Sequence, residues 1–140
     1  EENFCLFIDG GSGLAKRGRE LGETPEHSKF HFLVTHTHWD HILGYPFFKP
    51  IYSEKNHFKF YASQTERSSF NDIFFGLQKA DNLPVPRKNL KANIKFQTIV
   101  PEQSFMIEDK VKIDTFQLNH QGITLGYKIS YKGSSVAIIF

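Results

Sequence analysis

Apolar residues along the chain fall into short runs separated by glycine- and proline-marked turns, with one stretch of a different period. Phe4-Cys5-Leu6-Phe7-Ile8 is almost continuously apolar and closes on Asp9-Gly10-Gly11-Ser12-Gly13. That is the form of a buried strand ending in a glycine loop, and it leaves Asp9 at the strand end. Phe30-His31-Phe32-Leu33-Val34-Thr35 repeats the form, and Phe58-Lys59-Phe60-Tyr61-Ala62 gives a third strand. Residues 14–29 are polar and carry Gly18, Gly22 and Pro25, which predicts a surface connection. From Gln64 to Ala80 the period changes: Phe70, Ile73, Phe74 and Leu77 lie at i, i+3, i+4 and i+7, the apolar face of a helix docked on a core. Residues 81–93, with Pro84 and Pro86, read as a connector. Strands are predicted at 94–100, 103–108 and 110–118, and a hairpin at Lys132-Gly133 joins 125–131 to the apolar end Ser134–Phe140. Mostly strands, with one good helix and a second short one after residue 41, make the fold class α+β, helix layered on sheet.

Composition agrees with a folded chain. Of 140 residues 39% are apolar and 23% charged, and 15 phenylalanines predict a phenylalanine-rich core. The length suits one domain over 1–140. A net charge of +2 is too small to mark a dedicated nucleic-acid-binding module. Cys5 is the only cysteine, which excludes an intrachain disulfide and predicts a buried, inert thiol. No apolar run approaches the roughly 20 residues that cross a bilayer, and none reads as a signal peptide, so no membrane partner is expected and the cytoplasm is the default location. Glu1 is not a methionine, and the last run is a buried strand that stops, so the chain is expected to be part of a longer protein.

The chemistry concentrates at His36-Thr37-His38-Trp39-Asp40-His41, directly after the second strand. Imidazole and carboxylate are ligands of first-row metals, and four of them in one turn have no packing rationale. In an extended backbone His36 and His38 project the same way and can reach one ion, while Asp40 and His41 point elsewhere and suit a neighbouring ion. His120, in the loop Asn119-His120-Gln121-Gly122 after a strand, is the further donor that the first ion needs. His27, His31 and His57 lack such company and read as structural or exposed.

The segment Leu33-Val34-Thr35-His36-Thr37-His38-Trp39-Asp40-His41 resembles the metal motif of the metallo-β-lactamase superfamily, and Phe7-Ile8-Asp9-Gly10-Gly11 resembles the segment that precedes it there. The resemblance implies an αββα sandwich, incomplete here at its C-terminal side. It implies that His36, His38 and His120 bind one metal, that Asp40 and His41 bind a second, and that Asp9 is structural beneath the site. The cofactors would be two divalent ions, Zn2+ in the first place, with Mn2+ or Fe as alternatives. The second site's remaining ligands, an aspartate and a histidine, are expected beyond Phe140.

Such a pair of ions would share a hydroxide as nucleophile, with Asp40 ligating the second ion and orienting the attack. Thr124-Leu125-Gly126-Tyr127-Lys128-Ile129 resembles the phosphodiesterase and transfer-RNA-processing branch. The expected function is therefore hydrolysis of a phosphodiester, on a small molecule or on a nucleotide or RNA, with a homodimer allowed for. A lactone, thioester or other carboxylic ester hydrolase of the same fold is the alternative, and a non-catalytic metal-binding or regulatory member is the third reading. The basic run Arg87, Lys88, Lys91 and Lys95 could steer a phosphate backbone, although a solvated connector explains it more simply. Phe47 and Phe48 are assigned to core packing rather than a pocket wall, and Trp39 to a cover over the metal turn.

Overall fold

Residues 3–22, 28–79 and 85–140 are described by a computed structural model. Glu1, Pro25, His27, Ala80 and Pro84, named above, lie outside them. In chain order the elements are β1 (Phe4–Ile8), α1 (Ser12–Leu21), β2 (Lys29–Leu33), α2 (Trp39–Ile42), β3 (His57–Ala62), α3 (Phe70–Gly76), β4 (Asn93–Thr98), β5 (Ser104–Ile107), β6 (Val111–Leu118), β7 (Thr124–Tyr131) and β8 (Ser134–Ile138), with short 3-10 turns at 45–47, 49–52, 77–79 and 87–89. They form two four-stranded sheets, one in the order β1-β2-β3-β4 and one in the order β5-β6-β7-β8. The first is parallel throughout and the second antiparallel throughout.

A parallel sheet is covered on both faces, which is why β1, β2 and β3 read as near-continuous apolar runs rather than alternating ones. Phe30, Phe32, Phe58 and Phe60 turn to the helical side and pack with Leu14, Ile42, Tyr45, Phe48, Phe70 and Phe74. Leu33 and Tyr61 turn the other way and meet Ile107, Val111, Ile113, Leu125 and Tyr127 of the second sheet. The order of layers is helix, sheet, sheet. Met106, Lys112, Lys128 and Ala137, on the far side of the second sheet, are exposed, so the fourth layer of the expected αββα sandwich is not among the described residues.

Two expectations need correction. The supposed surface connection at 14–29 holds α1, whose Leu14, Gly18 and Leu21 form a narrow inward face at i, i+4 and i+7. Gly18 is a contact here, not a breaker: a Cβ on it would lie 2.7 Å from the Lys49 nitrogen and 2.8 Å from the Phe48 Cα. The helix predicted from Gln64 starts only at Phe70, because Ser69 caps it. The Ser69 Oγ accepts from the Asp72 N–H at 3.2 Å and donates to the Asp72 carboxylate at 2.6 Å. Ahead of it, the Thr65 hydroxyl and backbone close a tight loop onto Ser68. Among the described residues no helix is long and apolar enough to cross a membrane.

Candidate metal centre

Three strand ends deliver the site. β2 runs into Thr35 and the histidine motif, β6 ends two residues before His120, and β3 ends at Ala62, next to the loop of Ser63 to Arg67. The carboxyl ends of parallel strands all lie at one edge of a sheet, where α/β proteins commonly place ligands. The second sheet is tied to that edge by two hydrogen bonds, from the Leu125 N–H to the Thr35 carbonyl at 2.9 Å and from the buried Tyr127 hydroxyl to the Val34 carbonyl at 2.5 Å.

His36 Nε2 and His38 Nδ1 are 3.0 Å apart. His120 closes the group: among the described residues, one ligand atom from each of His36, His38 and His120 lies within 4.8 Å of the others. The edge of a zinc tetrahedron with Zn–N near 2.0–2.1 Å is about 3.3 Å. The first pair therefore already has chelating separation, and the donor set suits a divalent ion such as zinc.

Asp9 organises these rings from below. It is buried at the end of β1 with φ of 57°, a left-handed conformation that aspartate tolerates better than most residues. Its Oδ1 accepts the Thr35 N–H at 2.7 Å, and its Oδ2 accepts the Thr35 hydroxyl at 2.8 Å and His41 Nδ1–H at 2.7 Å. Thr35 has one hydroxyl proton and gives it to Asp9, so its oxygen accepts from His36 Nδ1–H at 2.9 Å. Carboxylate, hydroxyl and imidazole thus form a relay that leaves the His36 Nε2 lone pair facing His38. A metal-ligating histidine is generally fixed in this way through its other nitrogen. Burial first, then the neighbouring His41, His38 and His120, pushes the His36 pKa down to about 4, which keeps the ring neutral. Burial also raises the Asp9 carboxyl above its ordinary range, against the pull of its hydrogen bonds.

Asp40 and His41 sit in the single turn of α2. His41, with Nδ1 given to Asp9, turns Nε2 toward Asp40 Oδ2 at 3.4 Å, and the Asp40 side chain is 80% exposed. Two acceptors facing each other at that distance suit a shared cation. The His41 ring stands 4.1 Å from that of His36, centroid to centroid. The glycine loop after β1 holds this turn: the Gly10 N–H donates to the His41 carbonyl at 2.6 Å, and a Cβ on Gly11 would lie 2.2 Å from the Asp40 carbonyl oxygen. Trp39 does not cover the turn, being 68% exposed, whereas Phe48 is buried in the core as expected and Phe47 stays at the surface.

A cavity of about 610 Å³ opens beside the histidines, walled by His36 and His38 together with Ser63, Glu66, Arg67, Gln117 and Gln121. The Ser63–Arg67 wall is missed in the sequence, where Gln64 onward reads as the start of a helix. The signal that could have found it is topological: β3 is parallel to β2, so whatever follows β3 must emerge beside whatever follows β2. The two ends of the basic run lie in different settings. Arg87 lies over the Phe75 ring, 3.8 Å from its centroid, while Lys95 belongs to β4.

No family model and no curated protein matches the sequence. Solved structures do. Human tRNase Z, short form (ELAC1), superposes with a TM-score of 0.68 at 17% identity, covering 100% of this chain and 59% of that one. The metallo-β-lactamase fold protein YhfI from Bacillus subtilis gives 0.60 at 16% identity, covering 96% and 49%. Zn2+-bound PqqB from Methylobacterium extorquens gives 0.59 at 18% identity, covering 94% and 43%. The chain thus has the metallo-β-lactamase fold and spans about half the length of these proteins.

Proposed function

We propose that this chain carries the primary metal site of a metal-dependent hydrolase whose substrate is a phosphodiester. The observation that carries the reading is the convergence of His36, His38 and His120, with ligand atoms within 4.8 Å of one another, on a fold shared with a tRNase Z and with a zinc-bound protein. His36 through Nε2, His38 through Nδ1 and His120 would hold one divalent ion, zinc in the first place. Asp40 and His41 would contribute to a second. When bound, the metal supplies activation of water and stabilisation of developing charge.

The chain's own residues do the rest. Asp9 and Thr35 fix the His36 ring, and Asp9 orients His41. Asp40, exposed toward solvent, is placed to orient an attacking water by hydrogen bond. Arg67 on the cavity wall favours a phosphodiester over a neutral ester, since its guanidinium has no ion pair among the described residues and matches a phosphate oxygen pair. The lactone or thioester reading keeps the same metal residues and gives Arg67 no partner.

The test is metal analysis of the purified protein, with hydrolysis of bis-p-nitrophenyl phosphate measured beside a lactone and a thioester, on the chain alone and on any longer form that contains it. Expected are one bound equivalent of zinc on the chain, its loss in His38→Ala and His120→Ala with folding retained, and phosphodiester turnover sensitive to Arg67→Ala. Zinc stoichiometry unchanged in both histidine variants would overturn the site. Turnover of the lactone or thioester alone would overturn the substrate.

A further inference from the structure

At the far end of the first sheet from the histidines, one face is basic rather than apolar. The register sets Lys29 beside His57 and His57 beside Asn93, and, one step inward, His31 beside Lys59 and Lys59 beside Lys95. Strand side chains alternate, so both rows share a face. It is the face that further along carries Leu33 and Tyr61 into the core between the sheets. A cavity of about 220 Å³ opens over these rows, with Glu108 of the β5–β6 turn on its rim.

Three ammonium groups there meet one carboxylate. Lys29 is held by Glu108 at 2.5 Å, Lys59 lies over the Tyr61 ring 5.0 Å from its centroid, and Lys95 has no ion pair among the described residues. His31 is 5% exposed. Its Nδ1 is 3.1 Å from the Tyr61 hydroxyl; with that hydroxyl donating, the ring proton is on Nε2. Nε2 lies 3.2 Å from Glu108 Oε1, a charge contact poorly aligned for a hydrogen bond. The only acceptor near this buried donor is the poorly aligned Glu108 carboxylate, which leaves the Nε2–H open to a better-placed anion. The cavity is smaller than the roughly 300–1,000 Å³ of sites for drug-sized ligands, so its occupant is small.

We propose that this cavity is a second binding site, separate from the histidine cluster, for a phosphate group: inorganic phosphate or the phosphate of a small phosphomonoester. Lys59 and Lys95 supply the charge, His31 Nε2–H donates from the floor, and Glu108 is the competing anion that Lys29 keeps engaged. The His31–His36 separation is five residues of nearly extended chain, roughly 16 Å at 3.3 Å per residue, so the two sites are distinct.

The experiment is a titration of the metal-free protein with sodium phosphate, and separately with glycerol phosphate, against sodium chloride at matched ionic strength. It is read from the ring-proton NMR signals of the histidines. Expected is a saturable shift of the His31 and His57 signals, with those of His36, His38 and His120 unmoved. The Lys59→Ala/Lys95→Ala variant should weaken binding about tenfold or more, the scale of losing charge-assisted hydrogen bonds. Lys95→Ala alone, at an exposed position, should weaken it in the same direction, and Glu108→Gln should tighten it. Saturation by inorganic phosphate alone identifies the free ion, and tighter binding of glycerol phosphate identifies the monoester. Equal shifts with chloride, shifts confined to the metal-site histidines, or an affinity unaltered by the lysine substitutions would each overturn the proposal.

Discussion

Thr35→Val removes one hydroxyl from beneath the histidines and changes almost nothing in shape. That hydroxyl donates to Asp9 Oδ2 at 2.8 Å and accepts from His36 Nδ1–H at 2.9 Å, in a fully buried position. Asp9 keeps the backbone N–H of residue 35 and His41 Nδ1–H, both at 2.7 Å, so it is not stranded. His36 Nδ1 is stranded. Losing a hydrogen bond to a charged group costs about 1.5–3 kcal/mol and leaving a buried donor unpaired about 1–3 kcal/mol. The two describe one deletion and overlap, so a net destabilisation of about 2–3 kcal/mol is expected in urea unfolding of the metal-free chain. The effect on metal is separate. Without the relay, His36 is free to move its proton to Nε2 and to rotate, and the loss of such an orienting partner typically costs 10–100-fold in affinity, about 1.4–2.8 kcal/mol. Zinc affinity measured by chelator competition should fall by that factor in Thr35→Val and return in Thr35→Ser, which restores the hydroxyl. A Thr35→Val chain that is destabilised yet binds zinc within about twofold of the parent would refute the relay and leave Thr35 a packing residue.

Gly11→Ala tests the other support of the motif: with its Cβ built 2.2 Å from the Asp40 carbonyl oxygen, the loop has to move. Overpacking of this kind costs about 1–3 kcal/mol, and zinc affinity should fall with it. Gly13→Ala, where a Cβ meets nothing within 4 Å, is the matched control, and equal stability of the two variants would exclude the contact. For pH, burial in the first place lowers the His31 pKa from 6.5, only partly offset by Glu108. The native chain then takes up that proton less readily than the unfolded chain. This contribution to stability is complete above pH 6.5 and is lost as pH falls toward the lower folded value. Thermal melts should show a shallower acid slope just below pH 6.5 in His31→Gln, and an identical slope would assign it to other groups.

What was legible in the sequence followed from period and clustering. β1, β3 and β7 fall within a residue of their predicted bounds because turn residues bracket their apolar runs. The convergence of His36, His38 and His120 is legible from spacing and loop position alone. The misses share a cause. α1 was read as loop because its inward face is only Leu14, Gly18 and Leu21, and a glycine that lets two backbones approach has the same letter as one that breaks a helix. The start of α3 was placed too early because the apolar period was extended backward through Thr65–Ser68, where side chain–backbone bonds compete with helix. Arg67 and its neighbours were overlooked for the site because nothing local in a sequence records which strands run parallel.

Parallel strand pairing explains why the site is where it is. In a parallel sheet the order β1-β2-β3 sends Asp9, the histidine motif and the Ser63–Arg67 loop to one edge, so the supporting acid, the histidine turn and the cavity wall arrive together from strands that are neighbours in space. His120 comes from the other sheet, and its position relative to His36 depends on how the sheets are locked. The locking bonds are local: Tyr127 to Val34 and Leu125 to Thr35 join the sheets within two residues of His36. Tyr127 is buried, and its hydroxyl is committed to that carbonyl. The same Thr35 that receives Leu125 through its carbonyl holds Asp9 through its N–H and hydroxyl. One residue therefore couples the inter-sheet register to the orientation of His36, and a slip between the sheets would move His120 and loosen the His36 ring at once.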